Sequence, residues 1–80
     1  MKINPPQSTK NIIGTRLRMV RKQKHITQDQ LSARLQLQGL TLDRTAISKI
    51  ENGSRLVPDY EVVAIANALN VDIKWLLTGE

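Results

Sequence analysis

The apolar residues of this chain recur at helical spacing, and no stretch alternates with period two for long enough to build a sheet. Ile13, Leu17 and Val20 stand at i, i+4 and i+7. Val62, Ile65, Ala66 and Leu69 stand at i, i+3, i+4 and i+7. Leu31 with Leu35, and Ile47 with Ile50, give one turn each of the same pattern. A helix with one apolar stripe must bury that stripe against a neighbour. The expected fold class is therefore all-α. Eighty residues make one small domain, whose core must be compact.

Helix-starting and helix-stopping residues divide the chain into five helices. The first is expected from about Thr9 to Lys24. Residues 1–8 hold Pro5-Pro6 and little to bury, so they are expected to form a flexible N-terminal arm, with residues 9–80 as the domain. Thr27-Gln28-Asp29-Gln30 has the Thr-x-x-Gln form of a capping box, and Gly39 is the natural stop of that second helix. Asp43 is an N-cap for a third helix, Arg44 to about Asn52. Asn52-Gly53 ends it, since both residues tolerate positive φ. Pro58 opens a fourth helix, with Asp59 and Glu61 in its first turn and Asn70 as its left-handed stop. Asp72 caps a last short helix, Ile73 to about Thr78, closed by Gly79.

Composition removes several classes of function. There is no cysteine, hence no disulfide framework and no thiolate metal site. His25 is the single histidine, expected on the surface at a helix end, so no metal and no cofactor is expected. With no Phe, one Tyr60 and one Trp75, an aromatic platform for stacking single-stranded bases is not expected. No apolar run approaches the roughly 20 residues of a membrane-spanning helix. The first residues lack the apolar stretch of a secretory signal, so a cytoplasmic location is expected. Nothing places Glu51 and the Asp residues in a cleft with a base, and no enzymatic activity is expected.

Charge is unevenly placed. Residues 1–57 carry eleven Lys and Arg against three Asp and Glu, and residues 58–80 carry one against four. A basic front and an acidic rear suggest a polyanion on one side only, with nucleic acid the usual candidate. On the first helix, Arg16, Arg18, Lys22 and Lys24 are expected to form a solvated face, at least one of them adding to phosphate attraction.

The segment Thr27 to Gly53 carries the most information. It is a capped helix, a turn with glycine, and a second capped helix carrying Arg44, Thr45, Ser48 and Lys49. That is the sequence form of a helix-turn-helix. A helix fits the major groove of B-DNA, and residues near its N-terminus reach base edges. Arg44 and Lys49 can donate to guanine O6 and N7. Thr45 can bond a base edge or pack its methyl on thymine, and Asp43 could accept from cytosine N4.

The chain resembles the Cro and phage-repressor type (XRE family) of helix-turn-helix proteins. The likeness rests on Thr27-Gln28-Asp29-Gln30-Leu31 and on Ala46-Ile47-Ser48-Lys49-Ile50-Glu51-Asn52-Gly53. It continues through Pro58-Asp59, Ala64-Ile65-Ala66, Leu69 and Asp72-Ile73-Lys74-Trp75-Leu76-Leu77, covering roughly residues 11–79. The resemblance implies a compact five-helix, lambda-repressor-like domain with helix 3 as the recognition helix. It implies base contacts from Arg44, Thr45, Ser48 and Lys49. It implies phosphate contacts from Gln28, Asn52, Ser54 and Arg55, and a structural ion pair between Arg21 and Glu51. The function it implies is a sequence-specific, double-stranded DNA-binding transcriptional regulator, acting as a repressor and as a homodimer on a two-fold symmetric operator. Trp75, Leu76 and Leu77 are the candidates for the dimer interface. Two other readings fit the same residues: an antitoxin-type regulator that also binds a toxin, and a protein-interaction module using Trp75 and the acidic rear.

The chain departs from the family pattern between Leu35 and Ile47. Eleven residues stand there, where most members need about six. An extra turn of helix 2 or a longer loop is expected, packed down by Leu37, Leu40 and Leu42.

Overall fold

The computed structural model describes residues 9–80, and the arm expected over residues 1–8 lies outside them. Five helices follow one another: α1 (Gly14–Gln23), α2 (Gln28–Leu37), α3 (Arg44–Glu51), α4 (Asp59–Leu69) and α5 (Ile73–Thr78). No strand occurs among the described residues, and the fold is an all-α helix-turn-helix fold. None of the helices is long and apolar enough to cross a membrane.

The expected apolar stripes meet in one core. Ile13, Leu17, Leu31, Leu35, Ile47, Ile50, Ile65, Leu69 and Leu76 are its fully buried large side chains. α2 packs against both α3 and α4, α1 packs on α3, and α5 closes on α4. Each stripe removed from water stabilises the fold by roughly 25 cal/mol per Å² of apolar surface, which is why helices too short to persist alone hold together here.

Local chemistry sets the bounds of α2 to α5. The Thr27 hydroxyl accepts from the Gln30 N–H at 3.0 Å, and the Gln30 side chain accepts from the Thr27 N–H at 2.8 Å, completing the capping box. Asp43 accepts from the Ala46 N–H at 2.8 Å and Asp72 from the Lys74 N–H at 3.3 Å. Asn70 takes the left-handed conformation at φ 55° and ends α4.

Three expectations need correction. α1 begins at Gly14, not near Thr9, because Asn11 intervenes. The Asn11 Oδ1 accepts from the N–H groups of Ile13 and Gly14, satisfying donors that a helix start leaves open. Its Nδ2 donates to the carbonyls of Ile50 and Arg55, tying the segment before α1 to the end of α3. At the end of α3 only Gly53 has positive φ; Asn52 stays at φ −89° and its Oδ1 accepts from the Ser54 N–H. The extra length before α3 is a six-residue link, Gln38 to Asp43, entered through the left-handed Gly39. Leu42 is buried and Leu40 half-buried, but Leu37 is 88% exposed and packs nothing down. The Ser32 hydroxyl donates to the Leu42 carbonyl at 2.6 Å and fixes the link to α2.

The cations of the basic front are not all solvated. The Arg16 guanidinium donates to the carbonyls of Ile12, Leu76 and Leu77. The Lys24 ammonium donates to the Leu69 carbonyl at 2.7 Å, and Arg34 to the Ala68 carbonyl. All but Ile12, which precedes α1, are carbonyls at the C-terminal ends of α4 and α5 that lack intrahelical partners, and a cation there also complements the helix dipole.

Candidate nucleic-acid interface

α3 is eight residues long and turns Ile47 and Ile50 into the core. The opposite face therefore exposes Arg44, Thr45, Ser48 and Lys49. Among the described residues these four side chains have no hydrogen-bond partner, so their donors and acceptors are open to a ligand. The Asp43 cap fixes where α3 begins and leaves Arg44 and Thr45 on its first turn.

Beside this face lies an open concavity of about 700 Å³ between α1, the start of α2 and α3. At its floor Arg21 and Glu51 meet. The Arg21 Nε donates to Glu51 Oε2 at 2.7 Å and Nη2 donates to Oε1 at 3.0 Å, a two-pronged pairing. A third prong, Nη1, donates to the Ile26 carbonyl at 2.8 Å. Donating to Glu51 raises the pKa of the Arg21 guanidinium above its ordinary value; burial opposes this and the carboxylate charge adds to it. The local logic is electrostatic. A carboxylate in the last turn of α3 opposes that helix's dipole, and the arginine offsets it while suiting the end of α1.

Gln28 opens α2 and is half-buried, with its Nε2 donating to Glu51 Oε1 at 3.2 Å. Asn52 and Ser54 are exposed just past α3, and the Ser54 hydroxyl donates to the Lys49 carbonyl. Gln28, Asn52 and Ser54 thus border the exposed face of α3. Arg55 differs. Its guanidinium is held in a two-pronged pair with the buried Glu61, at 2.7 and 3.2 Å. Donating to Glu61 raises the pKa of the Arg55 guanidinium, with burial opposing and charge reinforcing. Its fork pairs with Glu61 at the joint between the α3–α4 link and α4, and its side chain stays 29% exposed.

The dimer candidates differ in exposure. Leu76 is fully buried beneath α5 and offers no surface. Trp75 and Leu77 are half-buried, packed against the core with part of each side chain outward.

Two structural residues escape a reading of the sequence. Asn11 makes four hydrogen bonds, two of them across the molecule to Ile50 and Arg55, and nothing in its neighbours signals those two. Gly14 did leave a signal. A glycine inside a helical stretch costs about 1 kcal/mol against alanine, so it implies a close approach. That approach is to α3, where a Cβ on Gly14 would run into the Ile50 carbonyl.

Residues 14–80 match the protein family described as helix-turn-helix domain. No curated protein matches the chain. The match opens on the first residue of α1 and takes in all five helices. With two capped helices packed together and the outer face of the second left open, the chain belongs to the helix-turn-helix domain family of DNA-binding domains.

Proposed function

We propose that this chain is a sequence-specific, double-stranded DNA-binding transcriptional regulator of the Cro and phage-repressor type, working in the cytoplasm as a repressor. α3 lies in the major groove. Arg44, Thr45, Ser48 and Lys49 meet base edges, and Gln28, Asn52 and Ser54 meet the flanking phosphates. The carrying observation is the face of α3 opposite Ile47 and Ile50: four polar side chains, all exposed and none engaged among the described residues. Arg44 and Lys49 supply the donors that guanine O6 and N7 accept. One such domain covers a half-site, and two copies related by a two-fold axis read two half-sites about one helical turn apart on a symmetric operator. The outward parts of Trp75 and Leu77 are the contact between copies. Repression follows when an occupied operator excludes other proteins from the same DNA.

The test is selection from a random DNA pool with sequencing of the bound fraction. Wild type and the Arg44→Ala, Lys49→Ala double variant are compared. A two-fold symmetric motif enriched by wild type alone supports the reading. Absence of enrichment by wild type refutes it.

A further inference from the structure

α1 and its C-cap carry five cations: Arg16, Arg18, Arg21, Lys22 and, at the cap, Lys24. Three are engaged inside the molecule, Arg16 and Lys24 on helix-end carbonyls and Arg21 on Glu51. Arg18 and Lys22 are not. Both are exposed and have no partner among the described residues. They stand four residues apart, where like charges repel along a helix and destabilise it. Lys22 suits the dipole at the end of α1, but the pairing of the two charges gains nothing for the fold.

Both line the same concavity as Arg44 of α3. Four cations border it against two anions, Asp29 and Glu51, and the Glu51 carboxylate is already held by Arg21 and Gln28 at the floor. A neutralised floor with Arg18, Lys22 and Arg44 around it against the single carboxylate of Asp29, open to solvent, suits a polyanionic strand better than a compact ligand.

We propose that this concavity seats the sugar–phosphate backbone of one DNA strand, with Arg18 and Lys22 as phosphate contacts supplied by α1 from outside the helix-turn-helix unit. The inference rests on the DNA-binding reading above. It assigns to α1 a share of affinity, and none of the base preference, because phosphates carry no sequence information directly.

The experiment is a salt titration of binding to the selected DNA and to a scrambled duplex. The protein is wild type or the Arg18→Gln, Lys22→Gln double variant. Glutamine keeps a helix propensity close to that of arginine and lysine. Losing two phosphate contacts should reduce the salt slope by about 1.8, so the affinity gap between wild type and variant narrows about tenfold from 50 to 200 mM salt. The ratio of selected to scrambled affinity should stay unchanged. Lys74→Gln, an exposed cation outside the concavity, controls for bulk charge. The charge-keeping swap Arg18→Lys, Lys22→Arg should retain the wild-type slope. If wild type binds with a steep slope and the double variant matches it, the α1 contacts are refuted and the DNA reading stands. A lost base preference, or an equal effect per charge from Lys74→Gln, refutes them too. If wild type binds no duplex even at low salt, the underlying DNA reading fails with them.

Discussion

The carbonyl oxygen of Ile50 lies against the α-carbon of Gly14, so closely that no side chain fits between them. This contact sets how near α1 comes to α3. Asn11 reinforces it by donating to the same carbonyl at 3.0 Å. The helix that presents Arg44 and Lys49 is therefore positioned from behind, by a glycine and an amide thirty to forty residues earlier in the chain.

Gly14→Ala should destabilise the protein by about 2–3 kcal/mol, even though alanine is the better helix former by about 1 kcal/mol. The obstacle is backbone and cannot rotate away. Urea unfolding should show a lower midpoint with an unchanged m-value. The variant should also bind DNA more weakly, since α3 must shift to admit the methyl group. An unchanged midpoint would mean that α1 and α3 separate more easily than this contact implies.

Breaking the Arg21–Glu51 pair from one side should be costly. The two side chains are 10% and 4% exposed, so Glu51→Ala leaves a nearly buried guanidinium without its partner. A loss of about 3–5 kcal/mol is expected, a large part of the roughly 5–15 kcal/mol typical of a domain. The double variant Arg21→Met, Glu51→Leu should lose less than the worse single change, and a double-mutant cycle measures the difference. The sign of the pH dependence follows from Arg21. Its folded-state value is raised, so the stabilisation is full below the unfolded value and is lost only as pH climbs through the raised one. The gap in unfolding midpoint between wild type and Glu51→Ala should therefore be the same at pH 7 and pH 9.

His25 sits at φ 56°, the left-handed region that a β-carbon disfavours by roughly 1–2 kcal/mol. It is exposed in the turn between α1 and α2. His25→Gly should stabilise the fold by about 0.5–1 kcal/mol after the extra freedom of glycine in the unfolded chain is counted. Thermal unfolding should shift upward by about 4 °C. A lowered midpoint would show that the imidazole contributes more than its backbone strain removes.

The lengthened link gives a paired prediction. Leu42→Ala should cost about 2–3 kcal/mol, because Leu42 is 6% exposed in the core. Leu37→Gln, at 88% exposure, should change stability by less than about 0.5 kcal/mol. Chemical denaturation of the two variants side by side decides it. Equal losses would place Leu37 in the packing of the link.

Much of this fold is legible in the sequence because it is written in short-range chemistry. The Thr27–Gln30 box, the Asp43 and Asp72 caps and the left-handed Asn70 act within four residues, and the core stripes follow from helical periodicity alone. What is not legible acts at long range. Nothing near Asn11 announces that it bonds to Ile50 and Arg55, so α1 is expected five residues too early. Leu37 and Leu42 look alike in a string of residues, and only the path of the link separates them. The exposed face of α3 is legible, since it is the complement of Ile47 and Ile50. The engagement of Arg55 with Glu61 is not, because an arginine's reach makes many partners possible.

The division of charge along the chain has a consequence for assembly. Arg16, Lys24, Arg34 and Arg55 all belong to the basic front, and every one of them bonds across to the rear: to Leu76 and Leu77, to Leu69, to Ala68 and to Glu61. Part of the asymmetry is thus mortar between the two halves rather than display toward a ligand. Cut between residues 57 and 58, the chain would yield two peptides of opposite net charge whose recombination is electrically guided. A surface engineered toward neutrality by removing arginines would loosen the joint before it touched the DNA face.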